Sequence, residues 1–180
     1  SDLRELQQAV VRLQKQLKKA KDRNEELVEV THQAAYDAML SMGPIAPVQT
    51  PATRKSSKTA EVALWHLTDW QGAKRTTSYD SAIMKKRVMS FAEKAVRITN
   101  IHRADHPIKT CTIMFGGDMI EGLFNFPSQV FEVDSTLFEQ YVTVSRLCVD
   151  VVRFALANYE KVEVVAEWGN HGRIGSKRDA

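Results

Sequence analysis

A chain of 180 residues, 43% hydrophobic and 26% charged, holds enough apolar material for one globular domain with a sizeable core. Its formal net charge of +3 is too small to demand a nucleic-acid partner, so only the distribution of cations can matter. No apolar run approaches the roughly 20 residues that span a bilayer, and no basic-then-apolar leader opens the sequence, so no membrane partner is expected and the chain reads as cytoplasmic. Cys111 and Cys148 fall in an apolar strand and on a helix, where they read as small buried residues of a reducing compartment rather than a disulfide or metal pair.

Residues 1–42 form the first predicted element. They are rich in Leu, Gln, Lys, Glu and Ala, and Leu3, Leu6, Val10, Leu13, Leu17, Ala20, Asn24 and Leu27 alternate spacings of three and four. That is a heptad seam with Leu3, Val10, Leu17 and Asn24 at a and Leu6, Leu13, Ala20 and Leu27 at d, which predicts a parallel homodimeric coiled coil. An amphipathic helix packed on its own domain is the alternative. Residues 43–60 follow with three prolines among Ser, Thr, Lys and Arg and no apolar periodicity, the pattern of an extended linker.

From residue 61 to 180 the pattern is α/β. EVALWHL is a short apolar run suited to a strand buried on both faces. A helix is predicted from about Asp80 to Arg103, with Ile83, Val88, Phe91, Ala95, Ile98 and Ile101 on its apolar side. TCTIMF is the second strand. A second helix starts near Asp134-Ser135 and carries Leu137, Tyr141, Val144, Leu147, Val151, Phe154 and Leu156, and KVEVVAEW is the third strand, with Val164, Val165 and Ala166 expected to be buried. This order predicts two right-handed crossovers and a parallel sheet, whose ligand site lies beyond the carboxyl ends of the strands.

Three loops stand at those ends: His66-Leu67-Thr68-Asp69-Trp70-Gln71, Gly116-Gly117-Asp118 and Gly169-Asn170-His171. Asp69, Asp118 and Asn170 offer hard oxygen donors suited to Mn²⁺ or Mg²⁺, and Asp118 on the middle strand is placed to bridge two ions about 4 Å apart. His171 would stabilise a transition state or protonate a leaving oxygen. Each residue has a bland reading as a cap, turn or strand end. His66, inside an apolar strand, reads as a hydrogen-bonded core residue, or one that supports the ligands, rather than a ligand itself.

HLTDWQ, GGDMIEG and GNHG resemble the first three motifs of the calcineurin-like metallophosphoesterases, over about Glu61 to Arg173, and look closest to phage-encoded members and recombination-repair exonucleases. The resemblance implies a β-sandwich flanked by helices, here a partial one preceded by the coiled-coil helix. It implies hydrolysis of phosphomonoesters or phosphodiesters with two divalent metal ions. Asp69 would bind one metal, Asp118 both, Asn170 the other, and His171 would act on the phosphate. A phage-encoded member would work in the host cytoplasm.

Three departures from the family pattern matter. Gln71 replaces the histidine that normally closes the first motif; its amide oxygen is a harder ligand and shifts preference from Zn²⁺ towards Mn²⁺ or Mg²⁺, other transition metals remaining open. Gly172-Arg173 replaces the acidic residue after the histidine, and Arg173 gains a fork that suits a phosphate. The family also needs later histidines, so the sequence is expected to be the N-terminal part of a longer enzyme, to lack residues that exist, or to be a shortened pseudoenzyme.

Lys74 and Arg75 after the first loop, and Arg173, Lys177 and Arg178 after the third, would flank the metals where an anionic backbone lies, which turns the expected substrate towards nucleic acid. Phe124, Phe126 and Phe131 in the next loop suit core or interface packing first, and base stacking second. Two functions follow: a metal-dependent phosphodiesterase or nuclease acting on DNA, or a non-catalytic coiled-coil assembly protein with a degenerate domain.

Overall fold

The computed structural model describes residues 59–173 without a gap, together with residues 12, 15, 16, 19, 23, 26–30, 32–34, 36, 37, 39–41, 43, 44 and 46–51. Residues 26–30 are helical, with Leu27 exposed. The other seam positions, from Leu3 to Asn24, lie outside the described residues, as do Lys177 and Arg178. Among the described residues no helix is long and apolar enough to cross a membrane.

The domain is α/β, built as β1 (Glu61–Leu67), α1 (Ser81–His102), β2 (Ile108–Phe115), a single 3₁₀ turn (Gln129–Phe131), α2 (Leu137–Leu156) and β3 (Lys161–Ala166). The strands form one parallel sheet in the order β1-β2-β3. Both crossovers therefore step in the same direction. Because a β-α-β crossover is right-handed, both helices are placed on one face of the sheet.

Local chemistry fixes the helix starts. Asp80 accepts from the Ile83 amide at 2.8 Å to cap α1. Thr136 and Glu139 form a reciprocal capping box at α2, and the box's hydrogen bonds hold the Glu139 carboxyl below its usual range. The core lies between the helices and the covered sheet face. There Trp65 meets Phe91 and Tyr159 edge-on at 6.1 and 5.9 Å, and the Tyr159 hydroxyl shares a buried 2.7 Å hydrogen bond with Thr99.

Three expectations are corrected by this one-sided cover. β1 is buried on one face only: Trp65 and Leu67 are buried, whereas Val62, Leu64 and His66 point the other way and are exposed. His66 is thus not a core residue. Val164, Val165 and Ala166 are exposed as well, because β3 pairs with β2 alone and forms the sheet edge. The α1 stripe is also shifted, to Met84, Val88, Ala92, Val96 and Thr99, leaving Ile98 and Ile101 in solvent. The two thiols behave as expected: both are free, and burial pushes each up to about 12, so they stay protonated and unreactive at neutral pH.

Candidate functional site

Each strand ends in one of the three glycine-bearing loops, and backbone hydrogen bonds stitch them together beyond the sheet. The Asp69 amide donates to the Gly117 carbonyl at 3.1 Å and the Gln71 amide to the Asp118 carbonyl at 3.0 Å. The Gly72 amide donates to Met119 at 2.9 Å, and Glu121 returns a bond to Gly72 at 2.9 Å. The third loop is tied to the second by a single atom. Asp118 Oδ1 accepts from the Asn170 amide at 2.7 Å and from the His171 amide at 2.8 Å.

The approach is close enough to dictate residue type. A Cβ on Gly169 would stand 2.1 Å from the Asp118 nitrogen, and one on Gly122 would stand 1.9 Å from the His171 carbonyl oxygen. The loops also hold Asp69, Gln71, Ala73 and Asp118 at positive φ, between 45° and 79°. Such backbone costs about 1–3 kcal/mol per residue and persists where the surroundings over-determine it, commonly at functional sites. Three of the four are candidate metal ligands or flank one directly. Thr68 supports the first of them, donating from its hydroxyl to the Asp69 carboxylate at 2.7 Å.

His171 is oriented by groups that the motif spacing does not reveal. Its Nδ1 lies 3.1 Å from the Glu121 carbonyl oxygen and 3.4 Å from Glu121 Oε2, while Gln129 Nε2 approaches at 3.3 Å. Gln129 Nε2 also donates to the same Glu121 carbonyl at 2.7 Å, so Nδ1 is engaged by the Glu121 loop and Nε2 is the ring nitrogen left for chemistry. The Glu121 carboxylate is almost fully buried between the His171 ring on one side and Lys74 Nζ, 3.3 Å from Oε1, on the other. Its Oε2 faces His171 Nδ1 without a hydrogen bond among the described residues. Phe126 packs its ring against the imidazole at 5.5 Å, and the Tyr141 hydroxyl, its acidity lowered by burial, donates to the Gly172 carbonyl at 3.0 Å.

The sheet edge therefore brings Asp69, Gln71, Asp118, Asn170 and His171 onto connected loops. Arg173 and Arg75 are exposed beside it. Lys74, expected to meet substrate, is instead half-buried on Glu121. Glu121, Gln129 and Gln140, whose Oε1 accepts from the Gly122 amide at 2.8 Å, are the supporting residues that sequence reasoning passed over. One signal for Gln140 was present: it interrupts the apolar stripe of α2 between Leu137 and Val144.

Among the described residues no group of three or more His, Cys, Asp and Glu side chains is placed to hold a metal. The donors on this edge are of another composition: two carboxylates, Asp69 and Asp118, and two amides, Gln71 and Asn170. An all-oxygen set of this kind fits a hard divalent cation and does not fit a zinc centre. Comparison with known proteins finds no matching family model, no similar curated protein and no similar solved structure.

Proposed function

We propose that this chain is a metal-dependent phosphoesterase, a hydrolase that cleaves phosphodiesters through a two-metal site and takes DNA as substrate. The observation that carries the reading is the bond pair on Asp118, which ties the second and third strand-end loops into one constellation with the first. Its resemblance to the calcineurin-like metallophosphoesterases supports the same assignment.

Asp69, Gln71, Asp118 and Asn170 would hold the ions, Mn²⁺ or Mg²⁺ by donor type. Bound there, the ions would supply Lewis acidity to the phosphoryl oxygens and to the attacking water. The protein's own residues do the rest. His171, fixed through Nδ1 by Glu121, presents Nε2 to the leaving oxygen and donates the proton it needs. The buried Glu121 side chain backs the imidazole and fixes its orientation, and Lys74 holds that carboxylate in place. Arg173 and Arg75 attract the phosphodiester backbone. The N-terminal heptads pair two copies as a parallel coiled coil, and the protein works in the cytoplasm.

A second reading has its own observation. The sheet face opposite the helices exposes Val62, Leu64, Met114 and Val165, with Trp168 just beyond, which suits an assembly protein. Hydrolysis separates the two. The full-length protein with Mn²⁺ should cleave bis-p-nitrophenyl phosphate, and Asp118→Asn should lower kcat by on the order of 100-fold or more. A folded parent that cleaves nothing with any divalent metal would leave only the assembly reading.

A further inference from the structure

A cavity of about 510 Å³ adjoins the site between the first strand-end loop and the first half of α1, within the range of small-molecule sites. Asp69 and Gln71 form part of its wall, so whatever enters it lies beside the phosphate position. Its lining also includes the apolar Met84 and Val88, the rings of Tyr79 and Phe91, and the polar His66 and Lys74. Arg87 supplies charge: its guanidinium lies 5.3 Å from the Tyr79 ring centroid, and no ion pair to it is found among the described residues.

Tyr79 is itself held. Its hydroxyl donates to the Trp70 carbonyl, and burial raises its pKa, so the phenol remains a donor and the ring keeps its place. A fixed ring with a guanidinium over it is a ready stacking surface for a second flat group, since arginine planes and aromatic faces both accept bases. Phe91 adds a further ring, 39% exposed on a helix whose neighbouring stripe is buried. Asp69 is the one carboxylate among the lining residues, at the end where the metals would neutralise it. A simple alkyl phosphate would offer no flat face to the aromatic lining or to Arg87. A planar base joined to a phosphate would use both ends.

We infer that this cavity is a nucleotide subsite, which receives the base of the nucleotide attached to the phosphate at Asp69 and Asp118, stacked against Arg87, Tyr79 and Phe91. The inference rests on the reading that metal ions at those two carboxylates would hold the phosphate of a nucleic-acid substrate, and it adds where the base of that substrate is held.

Calorimetry on the full-length protein with Mn²⁺ tests it, using deoxyadenosine monophosphate and inorganic phosphate as the two probes. The nucleotide should bind at least tenfold more tightly than phosphate. Arg87→Ala and Phe91→Ala, both at exposed positions, should each remove most of that advantage while shifting the phosphate affinity less than twofold. Equal affinity for the two probes, or a parallel loss of both in the variants, would overturn the assignment. The dinucleotide d(ApA) binding more tightly than the mononucleotide marks a strand end as the source of the base; equal binding marks a free nucleotide, and either result upholds the subsite. Hydrolysis is scored apart. Selective nucleotide binding by a protein that cleaves no diester keeps the cavity and removes the proposed activity. Cleavage of bis-p-nitrophenyl phosphate without nucleotide preference does the reverse.

Discussion

Glu121 shows how much a single side chain can organise. Its carboxylate is out of water, and a buried charge persists only when paired and hydrogen-bonded. Here the partners are Lys74 and His171 at 3.3 and 3.4 Å, so the residue that orients the proposed acid also depends on a cation from the first loop. Glu121→Gln keeps the shape and removes the charge. It should lower kcat for bis-p-nitrophenyl phosphate by about 10- to 100-fold with little change in KM, the usual range for a residue that orients a ligand or acid. Glu121→Ala should instead cost stability, about 3–5 kcal/mol by chemical denaturation, because it strands Lys74 and His171. An unchanged kcat in Glu121→Gln would show that the carboxylate only packs. This residue stood inside GGDMIEG, yet its role was not legible there. Asp69, Asp118, Asn170 and His171 can be read from strand-end position and residue type, whereas the function of Glu121 depends on the path its loop takes after Asp118.

At the scale of elements, the strands were the most legible part. Short apolar runs between polar stretches gave β1 with the boundaries observed, Glu61–Leu67, and placed β2 and β3 within two residues. The start of α1 was nearly as clear, at Asp80, whereas α2 was expected to start near Asp134-Ser135 and begins at Leu137 with Thr136 as its cap. The buried face of α1 was not clear. Its stripe uses Ala92 and Thr99, small or polar residues that look unremarkable in a periodicity, while Ile98 and Ile101 look like core and are not. Which face is covered depends on where Trp65 and Tyr159 stand on the neighbouring elements, and that information is not local. The caps allow a direct check. Thr136→Ala removes the hydroxyl that accepts from the Glu139 amide, leaving the Thr136 backbone N–H on the Glu139 carboxylate, and should destabilise the domain by about 1 kcal/mol in urea unfolding. A change below a few tenths would mean that tertiary packing alone sets the start of the helix.

For the whole molecule, the controlling feature is that both crossovers step the same way. The helices share one face, β1 and β3 are both edges, and the strand ends line up along a single border. An apolar run is the same letter string whether one face or two are covered, so EVALWHL and KVEVVAEW could not reveal the open side. The border itself is where the lasting consequence lies. Asp118 Oδ1 holds the amides of Asn170 and His171 at once, so those two protons have a common gate. In heavy water they should share one protection factor, high while the oxygen is in place, since exchange requires the loop to open. Asparagine at position 118 still offers that oxygen, and the pair should stay slow together; alanine does not, and both should become fast. The same atom therefore divides two failures that activity assays confuse, a site that has come apart and a site that is intact but has lost its charge.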